Sequence, residues 1–193
     1  LGSNKGIVID PQINRQINLP VLTAKDIEAI ELGLKNNISH VAASFMRDKN
    51  SVKYVRRISK NKMKIISKIE CKDALHNLND IILESDFLLI DRGDLSKEIP
   101  IEKIPFTQKI IIDRAKSHNK KVFVATNLLE SMILNRKPTR AEVHDIINTI
   151  VDGAHGLTLA AETAIGKYPI GCINMLYKII KHSNAIIDTK KTI

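Results

Sequence analysis

Short apolar runs rich in β-branched residues alternate along this chain with longer stretches whose apolar positions recur at helical spacing. The runs at 41–45, 64–69, 87–90, 122–126 and 157–159 are nearly continuous, as parallel strands buried on both faces require. Between them, Thr23-Ala24-Lys25-Asp26 can cap a helix lined by Ile27, Ile30 and Leu34, with Gly33 and Asn36-Asn37 as stop signals. Thr139-Arg140-Ala141-Glu142 has the capping-box form, and Val143, Ile146, Ile147 and Ile150 follow on one face before Gly153. Further helices are predicted over 49–60, 74–84, 105–119 and 170–187. Strand starts recur every ~25 to 35 residues, one βα unit each, without a linker-like break. The fold class is therefore α/β, in one domain. A doubly wound sheet and part of a (β/α)8 barrel both fit, since a complete barrel uses eight strands and ~250 residues.

Composition narrows the partners. The 193 residues are 44% hydrophobic and 26% charged, ordinary for a globular domain. The formal charge of +9 is spread as single lysines, and aromatics make up only 4%, so neither a basic block nor a stacking platform marks a nucleic-acid partner. Cys71 and Cys172 stand far apart, which argues against a disulfide scaffold or a zinc site and fits a reducing compartment. No apolar run reaches the ~20 residues of a membrane span, and no signal-peptide pattern opens the chain. A cytoplasmic location is expected. The chain starts at Leu1-Gly2-Ser3 without methionine, and a piece of a longer protein is the expectation.

Chemistry concentrates where the strands end. In Lys64-Ile65-Ile66-Ser67-Lys68-Ile69-Glu70 the period of two puts Lys68 and Glu70 on one face at the carboxyl end, where parallel α/β folds place ligands. Taken alone, the two also fit a simple ion pair. The next strand runs into Asp91-Arg92-Gly93-Asp94-Leu95, so Glu70 and Asp94 would converge from adjacent strands. Two hard carboxylates with open positions suit Mg²⁺ or Mn²⁺, and Gly93 would let backbone N–H groups approach a substrate carboxylate or phosphate. Thr126 closes another strand before a predicted helix, where it is either an anion contact or an ordinary N-cap. Glu162 and Thr163 follow the last strand and fit packing or capping as well as chemistry.

In order and spacing, several segments together resemble the pyruvate kinase family. They are Ala43-Ser44-Phe45-Met46-Arg47, Ile65-Ile66-Ser67-Lys68-Ile69-Glu70, Arg92-Gly93-Asp94-Leu95 with Glu98-Ile99-Pro100, and Ala125-Thr126. Leu129-Glu130-Ser131-Met132-Ile133, Pro138-Thr139-Arg140-Ala141-Glu142 and Glu162-Thr163-Ala164 with Gly166 and Tyr168-Pro169 complete the set. The resemblance implies a partial TIM-type barrel, about strands four to eight with their helices, over 19–193. It makes 1–18 the end of a lid domain and its return segment. The implied reaction moves the phosphoryl group of phosphoenolpyruvate to ADP, giving pyruvate and ATP. Glu70 and Asp94 would hold the divalent ion, with Lys68 stabilising the transferring phosphoryl group. Arg92, Gly93 and Thr126 would position the substrate carboxylate, and Ser44 and Arg47 would face the nucleotide and phosphate. The resemblance also implies K⁺, with ligands outside this chain, and a homo-oligomer in the intact protein. This chain by itself is expected to be inactive.

Four positions depart from the family pattern: Asp91 where Ala is usual, Ser96 for Gly, Asn127 where many members have Gln, and Ala160 where many have Ser. Asn127 also occurs in plastid-type members, which leaves a plastid origin open. Asp91 and Ala160 admit a second reading, a metal-dependent lyase or aldolase acting on a 2-oxo-acid enolate. A third is a noncatalytic scaffold using the 139–151 helix for subunit contacts.

Overall fold

A computed structural model describes residues 19–191, so the expectation for 1–18 lies outside the described residues. Five parallel strands form one sheet: β1 (His40–Ala43), β2 (Lys64–Ile69), β3 (Phe87–Asp91), β4 (Lys121–Ala125) and β5 (Gly156–Thr158). Their spatial order is the chain order, β1-β2-β3-β4-β5. A doubly wound sheet reverses its strand order at a switch point; this sheet does not, so its topology is that of part of a barrel.

Among the described residues one face of the sheet is fully buried and the other half-buried. Ile65, Ser67, Ile69, Leu88, Ile90, Val122 and Val124 are fully enclosed beneath the helices. Each such Ile, Leu or Val contributes about 1.5–3 kcal/mol relative to exposure. The alternate residues Ile66, Lys68, Phe87, Leu89 and Phe123 point to the other face and are only half-buried. On that face the rings of His40 on β1, Phe87 on β3 and Phe123 on β4 form a row, with successive centroids 5.7 and 6.1 Å apart.

The connecting helices follow the local signals. α1 (Ala24–Lys35) opens on Thr23, whose hydroxyl accepts from the Asp26 N–H while the Asp26 carboxylate accepts from the Thr23 N–H. α2 (Lys49–Ile58) opens on Asp48. The single helix expected over 74–84 is two, α3 (Lys72–His76) and α4 (Leu78–Glu84). Asn77 separates them because its side-chain amide donates to the carbonyls of Asp73 and Arg47, competing with the helical pattern. α5 (Arg92–Glu98) follows β3 directly, and α6 (Ile104–Ser117) follows a short 3₁₀ turn.

α7 (Arg140–Asp152) carries the full capping box at Thr139 and Glu142 and ends on Gly153, whose φ of 104° is the left-handed cap that favours glycine. Glu142 also accepts from the Ser131 N–H and hydroxyl, both at 2.6 Å, which ties the helix start to the loop after β4. The short α8 (Ala161–Ala164) and the long α9 (Pro169–Lys191) complete the chain. A second apolar cluster of Leu128, Leu129, Met132, Ile146, Cys172, Leu176 and Ile179 holds α7, α9 and the loop after β4 together. Among the described residues no helix is long and apolar enough to cross a membrane.

Candidate functional site

The carboxyl ends of β2 and β3 bring three carboxylates and a lysine together. Glu70, Asp91 and Asp94 each offer an oxygen within 4.8 Å of the others. Lys68 lies between two of them, its Nζ 2.8 Å from Glu70 Oε2 and 3.0 Å from Asp91 Oδ2. Burial alone would depress the Lys68 ammonium, but the carboxylates of Glu70 and Asp91 outweigh it and hold the pKa above the ordinary lysine value. Lys68 is therefore a cation across the physiological range. Ser44 Oγ stands 3.4 Å from the same Nζ.

Backbone geometry sets each of these groups. β1 ends earlier than predicted because Phe45 takes φ 51° and turns the chain, aiming its N–H at Glu70 Oε1, 2.7 Å away. The other oxygen, Oε2, is buried with no hydrogen-bond donor; its contact with Lys68 is one of charge without hydrogen-bond alignment. A fully buried carboxylate oxygen in that state fits a site built to receive a cation. Asp91 is the last residue of β3 and the N-cap of α5, with Oδ1 3.4 Å from both the Asp94 N–H and the Thr126 hydroxyl. Asp94 sits in the first turn of α5 and pairs at 2.6 Å with the exposed Lys97.

Thr126 differs from its expectation. It does not precede a helix: Thr126 and Asn127 take φ 69° and 54°, and only a 3₁₀ turn (Glu130–Ile133) follows. The N–H groups of Leu128 and Leu129 donate to Glu162 Oε1 at 3.3 and 3.1 Å. Glu162 is 1% exposed and also accepts from the Ala160 N–H, so of the two uses left open for it the structural one holds. Gly93 likewise has its N–H committed to Thr126 Oγ1 at 2.8 Å. A side chain at Gly93 would meet Thr126 Oγ1, Asn127 Oδ1 and Asp91 Oδ1 at 3.4–3.6 Å, so its absence keeps open the space among these groups.

Arg92 points away from the carboxylates. Its Nε and Nη2 donate to the Thr126 carbonyl, Nη2 also to the Asn127 carbonyl, and Nη1 pairs with Asp145 Oδ2 at 2.6 Å. It braces the Thr126–Asn127 turn from behind. Arg47 turns its Nη2 to the carbonyls of Leu19 and Pro20, at 3.0 and 3.4 Å. Lys68, Glu70, Asp94, Gly93, Thr126 and Ser44 thus gather at one place, while Arg92 and Arg47 direct their guanidinium groups elsewhere. The Phe45 N–H, Glu162 and Asp145 had no local signal as supports, because their partners lie 25 to 53 residues away in the chain.

Such a cluster lies where TIM-type barrels place their ligands, at the carboxyl ends of parallel strands, and its hard oxygens suit a divalent cation. The pyruvate kinase barrel-domain family model matches residues 1–173, and the chain belongs to that family. It is 44% identical over 189 residues to a pyruvate kinase of Thermotoga maritima, covering 93% of this chain and 41% of that protein. A pyruvate kinase of Methanocaldococcus jannaschii is 43% identical over 86% of this chain and 38% of its own length. One of Dictyostelium discoideum is 39% identical over 96% of this chain and 37% of its own. The chain therefore spans about two-fifths of the length of these relatives. None of them favours the lyase or the scaffold alternative.

Proposed function

We propose that this chain carries the enolate and phosphoryl part of a pyruvate kinase active site, and that the full-length protein moves the phosphoryl group of phosphoenolpyruvate to ADP. Protonation of the resulting enolate gives pyruvate. One observation carries this: a family member brings Lys68 together with the carboxylates of Glu70, Asp91 and Asp94 at the ends of adjacent parallel strands.

Glu70 and Asp94 are the residues to hold Mg²⁺ or Mn²⁺, and the donorless Glu70 oxygen and hard carboxylate set suit such an ion. When bound, the ion supplies Lewis-acid neutralisation of carboxylate and enolate oxygens. Lys68 contributes a fixed positive charge beside the phosphoryl group as negative charge spreads over its oxygens. The Thr126 hydroxyl and the open space at Gly93 orient the substrate carboxylate, with Thr126 on the side of enolate protonation. Ser44 reaches the phosphate beside Lys68, and Arg47 is the weaker candidate because its guanidinium is engaged with Leu19 and Pro20. The rest of the proposal is a K⁺ requirement met outside this chain, a homo-oligomer, and a cytoplasmic setting.

The test uses the full-length protein. ADP-dependent pyruvate formation is followed in a coupled assay for wild type and Lys68→Met, and Mn²⁺ binding for wild type and Asp94→Ala. Lys68→Met should lower turnover about 10²- to 10³-fold, the effect of removing one preorganised charge partner. Asp94→Ala should lose Mn²⁺ binding. Pyruvate formation that ignores ADP, or a Lys68→Met protein as active as wild type, would end the proposal.

A further inference from the structure

Asp91 belongs to the cluster on which the proposed function rests but is assigned no task of its own there, although it is built into the middle of the site. Its side chain is 12% exposed, and its Oδ2 meets Lys68 at 3.0 Å. Its other contacts, to the Asp94 N–H and the Thr126 hydroxyl, are both long at 3.4 Å, weak bonds for a carboxylate. The single Thr126 hydroxyl proton has a much shorter acceptor in the Ala125 carbonyl, at 2.6 Å, so this carboxylate, enclosed with one cation and one marginal N–H donor, is under-compensated.

The neighbouring Glu70 supplies an independent observation. Its side chain is fully buried, and Oε2 has no hydrogen-bond donor. Oε1 is the oxygen turned to the Phe45 N–H, whereas Oε2 lies on the side of Lys68, which itself touches Asp91. Glu70 Oε2 and Asp91 Oδ2 thus share one ammonium, that of Lys68. Charge points the same way. Glu70, Asp91 and Asp94 less the Lys68 ammonium leave a formal charge of −2, the complement of a divalent cation. Lys97 offsets Asp94 only from the surface, where it is 74% exposed and screened by solvent.

We propose that Asp91 is a third carboxylate ligand of the divalent-cation site. With only Glu70 and Asp94 the remaining formal charge beside Lys68 is −1; with Asp91 it is −2, so the ion is held more tightly before any substrate oxygen is present. The proposal rests on the assignment of Glu70 and Asp94 to the cation, and its test separates the two.

Mn²⁺ alone is titrated into the substrate-free full-length protein, by electron paramagnetic resonance of the free ion, for wild type, Asp91→Asn and Asp94→Asn. Asparagine caps a helix as well as aspartate does, so Asp91→Asn removes charge while keeping the start of α5. Asp91→Asn should weaken substrate-free Mn²⁺ binding by at least about tenfold, the lower end of what losing even an outer-shell partner costs. Adding phosphoenolpyruvate should narrow the gap. Unchanged or tighter binding in Asp91→Asn alongside loss in Asp94→Asn would overturn the role of Asp91 alone. Unchanged binding in both variants would overturn the cation site itself. Should Asp91→Asn not fold, infrared difference spectra of wild type labelled with ¹³C-carboxyl aspartate decide. Mn²⁺ should shift two aspartate bands, and a single shifted band would refute the third ligand.

Discussion

Arg92 offers a direct way to ask how the Thr126 turn is held. Arg92 is 8% exposed, and its guanidinium makes three donations to the Thr126 and Asn127 carbonyls, at 2.8 to 3.2 Å, besides its pair with Asp145. Arg92→Met keeps much of the side-chain volume and removes every donor. Each of the two carbonyls then loses a charge-assisted partner, about 1.5 kcal/mol apiece at the lower end of the range for such bonds. The freed Asp145 side chain is 41% exposed and returns to water, so its lost pair adds under about 1 kcal/mol. Thr126 and Asn127 sit at φ 69° and 54°, and a β-branched residue held there stores about 1–2 kcal/mol, part of which is released once the brace is gone. The expected net loss is about 2–4 kcal/mol, read as a lower urea midpoint with an unchanged slope. Asp145→Asn should cost less than about 1 kcal/mol. Arg92→Met combined with Thr126→Gly should lose more than the sum of the two, because glycine has already removed the strain whose release offsets part of the Arg92→Met loss. An Arg92→Met protein within about 0.5 kcal/mol of wild type, the range of an inconsequential surface change, would refute this account of the turn.

Two further outcomes follow from the same supports. Gly166 packs against the backbone carbonyl of Glu162, which cannot swing aside, so Gly166→Ala should destabilise by about 1–3 kcal/mol; wild-type thermal stability would contradict this. Burial would raise the Glu142 carboxyl, but hydrogen bonds from Ser131 and Thr139 outweigh it and hold its pKa below the ordinary glutamate value. A depressed folded-state pKa contributes stability above the unfolded value of about 4.3 that is lost as pH falls through the folded one. The stability difference between wild type and Glu142→Gln should therefore shrink from pH 6 towards pH 3, and a constant difference would exclude the linkage.

What the sequence by itself determined is local. The runs at 64–69 and 87–90 became β2 and β3 almost residue for residue, and the Thr139 box and Gly153 bounded α7, because periodicity, capping and a left-handed glycine act within a few residues. Lys68 beside Glu70 was legible for the same reason, a strand's period of two. The tertiary structure decided what depends on partners distant in the chain. It broke the helix at Asn77 through a carbonyl 30 residues away, and it spent the Leu128 and Leu129 N–H groups on Glu162. It turned Arg92 from the substrate side to the back of the Thr126 turn, with Asp145 as its partner 53 residues on. It also set Asp91 against Lys68 and Glu70. Local pattern carries the energetics of each element, but a carboxylate's partners depend on which strand ends become neighbours, and only the assembled sheet defines those.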